Sequence, residues 1–248
     1  MTDRVGLSQN YETAYGQMLA ALAAAPAVEP PELTAFWPMV GHAYDRALLV
    51  VGRAVNGWMD HITVDALSDP VARASLITAA RHTSEGDGDC PMGCVTARWS
   101  PGDGEYSTAR SAFWRHIRAV LAAVDPESRD DSRWSSRVAW SNLAKLAPAG
   151  GGNPGGALLE TQRRAGSTLL LREVLELAPR RVLVLTGRSW FEPFAERLGL
   201  DVEWCDGLVE GVVREPARTW VIAGHPQGKP RAILDEVIEA FRPSTMAR

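Results

Sequence analysis

The chain has 248 residues, 46% of them hydrophobic and 23% charged, with a formal net charge of −4. That composition is ordinary for a soluble globular protein and gives no domain-wide basic balance of the kind that marks many nucleic-acid-binding proteins. No apolar run approaches the ~20 residues needed to span a bilayer. The opening Met1-Thr2-Asp3-Arg4 lacks the basic-then-apolar pattern of a secretory signal, so a cytoplasmic location and no membrane partner are expected.

In chain order, Leu, Met and Ala at helical spacing predict a helix from Ser8 to Ala25, broken by Pro26, Pro30 and Pro31. A second helix is predicted over Leu33 to Tyr44. These first 45 residues read as a helical extension packed on a single α/β domain that occupies the rest of the chain. Leu48-Leu49-Val50-Val51 is a continuous apolar run ended by Gly52, which predicts a buried strand. Helices follow over Val64 to His82 and Ser111 to Val124, separated by Gly/Asp/Pro/Ser-rich loop chemistry at 83–107. A short strand is expected over Val138 to Ser141, then the long helix Leu158 to Leu177.

The strand Arg180 to Gly187, the helix Trp190 to Leu198, a short edge strand at Val202 to Cys205, the strand Thr219 to Ala223 and the helix Ile233 to Phe241 complete the pattern. Strands alternating with helices predict a three-layer α/β/α domain with a mainly parallel central sheet of about four strands.

Three cysteines, Cys90, Cys94 and Cys205, are too few for a disulfide scaffold. Cys90 and Cys94 stand four apart, but a structural zinc needs four Cys/His ligands and no second pair is near. No metal and no cofactor are expected, and no obligate protein partner is evident.

Three clusters of polar residues each follow a predicted strand: Gly52-Arg53-Ala54-Val55-Asn56-Gly57, Ser141-Asn142-Leu143-Ala144-Lys145, and Gly224-His225-Pro226-Gln227-Gly228-Lys229. Loops leaving the carboxyl ends of parallel strands converge on one crevice, where ligands bind. Gly52 and Gly57 let a planar ligand approach the main chain, or simply make a strand-to-helix turn. Asn142 offers a donor and an acceptor to a nucleobase edge, or caps a turn. His225, held extended by Pro226, can donate to a developing anion, or be satisfied by local backbone. The two lysines of the chain, Lys145 and Lys229, both fall in these clusters, where a compact ammonium suits an anion. Trp58, Trp99, Trp114 and Trp140 lie in or between the clusters and offer stacking faces or core packing. Neither a nucleophile elbow nor a paired-carboxylate signature is present.

In the order of these segments the chain resembles the uracil-DNA glycosylase superfamily, from about Leu48 to Phe241. Ser141-Asn142-Leu143-Ala144-Lys145-Leu146-Ala147-Pro148, followed by Asn153-Pro154, is similar to the Thr-Asn-x-x-Lys-Cys-x-Pro segment of the iron–sulfur branch. Glu160, Leu169, Leu170 and Glu173 fit the helix that follows it, and Ala178 to Gly187 its next strand. His225-Pro226 matches the start of a His-Pro-Ser motif.

The resemblance implies a DNA glycosylase that hydrolyses the N-glycosidic bond of a uracil or other damaged base flipped out of DNA, at a cost of roughly a few kcal/mol. Its partner would be DNA with a damaged or unpaired base, or a nucleotide. Asn142 and His225 would be the catalytic pair, Asn142 reading the base and His225 stabilising its departing charge. Gly52, Arg53, Ala54, Asn56 and Gly57 would join Asn142 in binding substrate. Lys145, Lys229 and Arg231 would contact DNA.

The chain also departs from the pattern. Gly-Glu-Ala-Pro-Gly becomes Gly52-Arg53-Ala54-Val55-Asn56, losing the acidic residue and the proline. Ala54 stands where many members orient water with Asp or Asn, but the iron–sulfur branch also has alanine there. The third motif reads His-Pro-Gln-Gly. Leu146 replaces a cluster cysteine, so no iron–sulfur cofactor is expected. These changes leave a second expectation open, a module on the same fold that binds a nucleotide or nucleic acid without cutting it.

Overall fold

A computed structural model describes residues 6–25, 28–55, 61–86, 90–99 and 107–242. In chain order the elements are α1 (Gln9–Ala23), β1 (Glu32–Ala35), β2 (Met39–Val40), β3 (Leu48–Gly52), β4 (His61–Thr63), α2 (Pro70–Glu85), α3 (Gly93–Ala97), α4 (Ala112–Val124), β5 (Val138–Asn142), β6 (Leu146–Pro148), α5 (Gly156–Leu177), β7 (Arg181–Val184), α6 (Arg188–Leu198), β8 (Glu203–Trp204), β9 (Val209–Arg214), β10 (Thr219–Ala223) and α7 (Ala232–Ala240). None of the described helices is long and apolar enough to cross a membrane.

The main sheet has seven strands in the order β2-β5-β3-β7-β10-β9-β8. Its centre, β5-β3-β7-β10, is parallel, while β2, β9 and β8 pair antiparallel at the edges. The expectation of about four mainly parallel strands therefore describes the centre only, and the whole sheet is mixed. The missed strand β9 alternates buried and partly exposed residues along Val209-Glu210-Gly211-Val212-Val213, a weaker signal than the all-buried β3.

Residues alternate across the sheet. Leu48, Val50, Val138, Leu183 and Val221 join one core with Trp114, Ile117 and Leu121 of α4 and Ile233 and Val237 of α7. Leu49, Val51, Ala139, Val182 and Ile222 point the other way, against Leu170 and Val174 of α5 and Phe191 and Phe194 of α6. Helices thus cover both faces, as continuous apolar parallel strands require.

The helix expected over Leu33 to Tyr44 does not form. Pro38 would remove a helical hydrogen bond from its interior, and the segment instead makes β1 and β2. β1 pairs antiparallel with β4 and β6 in a separate three-stranded sheet. Among the described residues of the first 45, one helix and two strands therefore stand where a helical extension was expected. α1 begins at an N-cap, Ser8, whose side chain accepts from the Asn10 N–H. It buries Tyr11, Tyr15, Met18, Leu19 and Leu22 in a third core with β1 and α2.

In the main sheet, β3 lies between β5 on one side and β7 on the other. The connections from the first central strand therefore run in both directions, and this topological switch opens a crevice at the strands' carboxyl ends. Gly52 and Asn142 are register partners at that end, and the Leu143 and Ala144 N–H groups donate to the Gly52 and Arg53 carbonyls at 2.9 Å each.

Candidate functional site

A cavity of about 890 Å³ opens at this end of the sheet, within the usual size range of ligand pockets, about 300–1,000 Å³. It is lined by Gly52, Arg53, Ala54 and Val55 after β3, by Trp140 and Asn142 of β5, and by His225 and Gln227 after β10. The three clusters singled out in the sequence do meet. Two of the residues expected to bind substrate, Asn56 and Gly57, lie outside the described residues, as does Trp58.

Asn142 is 1% exposed, and its amide Nδ2 is buried with no hydrogen-bond partner. A buried donor left unmade costs about 1–3 kcal/mol, so the site favours a ligand that supplies an acceptor. The amide oxygen packs on Gly52, where any Cβ would collide with it. Glycine is thus required here for close approach.

His225 is half-buried. Its Nδ1 accepts the Gln227 N–H at 3.2 Å, so the neutral ring carries its proton on Nε2 and presents a donor. Burial, and then the charge of Arg53, hold its pKa below the usual histidine range. The imidazole therefore stays neutral at neutral pH. Phe113 lies parallel to it, with centroids 5.9 Å apart and planes 9° from parallel. Trp114 meets Phe113 and Trp140 edge-on at 5.1 Å each. Phe113 reads in the sequence as an ordinary core residue of α4. The run Phe113-Trp114-Arg115-His116, opening just after the Ser111 cap, is the one local signal that could have marked it.

Arg53 extends across the end of β7, where Nε and Nη2 both donate to the Thr186 carbonyl at 3.0 and 2.8 Å. Its guanidinium carbon lies 5.3 Å from the Trp190 ring centroid. Arg98 also lines the cavity, with Cys94, Val95, Thr108 and Ser111, residues the sequence did not single out as site residues. No Asp or Glu is among the described lining residues, although acids outnumber bases 30 to 26 in the chain. That local excess of positive charge suits an anionic or acceptor-rich ligand.

Of the three residues expected to contact DNA, Lys145 is corrected. It is fully buried, with Nζ 2.7 Å from Glu173 Oε1 and donating to Ser141 Oγ at 2.7 Å and to the Asn142 carbonyl. Glu173 also accepts from Tyr11 of α1 at 2.7 Å. Burial lowers the Lys145 pKa against the pull of Glu173, and burial raises that of Tyr11 well above its usual value. Lys145 therefore supports the Asn142 backbone from beneath and cannot reach a phosphate. Lys229 and Arg231 are exposed on the turn between His225 and α7 and do not line the cavity.

His116, one helical turn after Phe113, is 7% exposed with Nε2 unpartnered. Burial, and then His225, push its pKa down to about 4. Cys94 lines the cavity and Cys90 accepts the His42 N–H at 3.4 Å. Among the described residues no three His, Cys, Asp or Glu side chains gather to hold a metal.

No family model matches the chain, and no curated protein matches it either.

Proposed function

We propose that this cavity takes a flipped-out nucleobase and that the chain is a divergent uracil-DNA glycosylase-like hydrolase acting on uracil or another damaged base in DNA. The observation that carries the reading is the buried, unpartnered Asn142 Nδ2 on a residue that lines the same cavity as a neutral His225 donor. Two donors held beside the aromatic faces of Phe113, Trp114 and Trp140 match the edge and the plane of a keto base.

Chemically, the base is extruded from the stack, which exposes its glycosidic bond. Asn142 donates to a ring carbonyl and fixes the base. The C1′–N bond breaks toward an oxocarbenium-like sugar, and His225 Nε2–H donates to the oxygen on which negative charge builds. Preorganised donors of this kind stabilise a transition state without reorganising as charge develops. Water then adds at C1′.

The test is release of free uracil, or of another damaged base, from single-stranded and mismatched oligonucleotides. His225→Ala should lower the rate about one hundredfold or more, the magnitude of losing one oxyanion donor. An unchanged rate removes the histidine from the chemistry.

A second reading is a module that binds a nucleotide or nucleic acid without cleaving it. It is favoured by one observation, the absence of any carboxylate among the described lining residues to orient water. Binding without base release, weakening steeply as salt rises, distinguishes it.

A further inference from the structure

Arg53 is a cation whose contacts fix its position without neutralising it. Both of its hydrogen bonds go to one neutral carbonyl, that of the buried Thr186, and its other contact is the face of Trp190. Among the described residues no carboxylate pairs with it, and Nη1 makes no hydrogen bond to them. A planar guanidinium held in this way loses little freedom when a ligand arrives.

Its location follows from the sheet order. Between Arg53's own strand β3 and the His225 strand β10 lies only β7, and the guanidinium is docked just beyond the end of β7. The charge therefore sits beside the end of β7, on a residue that lines the cavity together with His225. Arg98, the other lining arginine, is exposed, whereas Arg53 is half-buried.

We infer that Arg53 is the fixed cation of this site and stabilises the negative charge that a nucleobase carries as it leaves. The inference rests on the base-pocket reading and deepens it. When the C1′–N bond breaks heterolytically, its electron pair stays on the ring nitrogen and spreads onto the ring oxygens. The sugar becomes an oxocarbenium ion, water adds at C1′ and loses a proton, and the base anion is protonated after it leaves. His225 meets that anion with a neutral dipole, whereas Arg53 meets it with a whole charge on a half-buried side chain, where Coulomb interactions are stronger than in bulk water. The loop after β3 thus contributes electrostatics.

The experiment uses the full chain and two free pyrimidines, uracil, which is neutral at pH 7, and barbiturate, which is an anion there. Binding is followed by calorimetry for the wild type, Arg53→Gln and Arg53→Lys, with melting curves to establish that each is folded. The wild type should prefer barbiturate by about tenfold or more, a difference well within one interaction's reach. Arg53→Gln should abolish that preference, read as the ratio of the two affinities within each variant, and Arg53→Lys should keep part of it.

If Arg53→Gln leaves the preference intact, the inference is overturned and the base pocket stands. The same holds if the variant weakens an undamaged oligonucleotide by the factor it weakens barbiturate, because the arginine then serves phosphate. If the wild type binds neither ring, the base pocket itself is refuted and the inference goes with it.

Discussion

Lys145 is the residue whose replacement tests the architecture beneath the site most sharply. Its ammonium is fully buried and makes three contacts, to Glu173, Ser141 Oγ and the Asn142 carbonyl. Lys145→Met keeps most of the side-chain volume and removes all three. Glu173 then stays buried with only the Tyr11 hydroxyl on Oε1, and its Oε2 already lacks a partner. Removing one member of a buried pair costs about 3–5 kcal/mol, mostly through the charge left behind. That is a large share of the ~5–15 kcal/mol that holds a typical domain.

Adding Glu173→Gln removes the stranded charge while the Gln carbonyl still accepts from Tyr11, so the double variant should recover about 2 kcal/mol of that loss. Urea unfolding at pH 7, followed by tryptophan fluorescence, reads both quantities. A loss below about 1 kcal/mol for Lys145→Met, as for an exposed pair, would refute the claim that this ammonium is sealed inside. So would a double variant less stable than the single one.

Three further outcomes are expected. His116 has a folded pKa of about 4 against about 6.5 when unfolded, so its neutral form stabilises the fold above pH 6.5. That contribution, about 3 kcal/mol, is lost as pH falls from 6.5 through 4. His116→Leu should flatten stability over this window in urea titrations, and an unchanged slope would contradict the assignment. The His225 pKa is lowered by burial and by Arg53, so activity that needs its neutral form should persist below pH 6.5 and fail only at more acid pH. Arg53→Gln should move that acid limb upward, as read from the pH–rate profile. Gly52→Ala drives a methyl into the Asn142 amide, and overpacking of this kind costs about 1–3 kcal/mol. It should reduce base release at least about tenfold while the circular dichroism spectrum stays that of the wild type, and wild-type turnover would refute the tight contact.

Much of the sheet's centre is legible in the sequence because β3, β7 and β10 are short apolar runs ended by Gly or by a polar turn. The alternation of these runs with helical segments is enough to assign their carboxyl-terminal loops to one crevice. Leu33 to Tyr44 misleads because its apolar spacing fits a helix, whereas Pro38 and pairing across β1, β4 and β6 decide for strands. Lys145 misleads for a different reason. A lysine beside a site residue reads as a phosphate contact, and only Tyr11 and Glu173, 134 and 28 positions away in the chain, reveal it as a buried strut. Phe113 and Arg98 carry no spacing that distinguishes a pocket wall from packing or from a solvated face. Their roles depend on where α3 and α4 settle against β5 and His225, which no local pattern encodes.

The claim that Asn142 and His225 bind one base between them is tested most directly by titrating the chain with uracil while observing the Asn142 side-chain amide and the His225 imidazole nitrogens by nuclear magnetic resonance. Both signals should move together and saturate at one concentration, with Nε2 remaining the protonated nitrogen. If the amide stays still, or if the two groups respond with different affinities, they do not share a ligand.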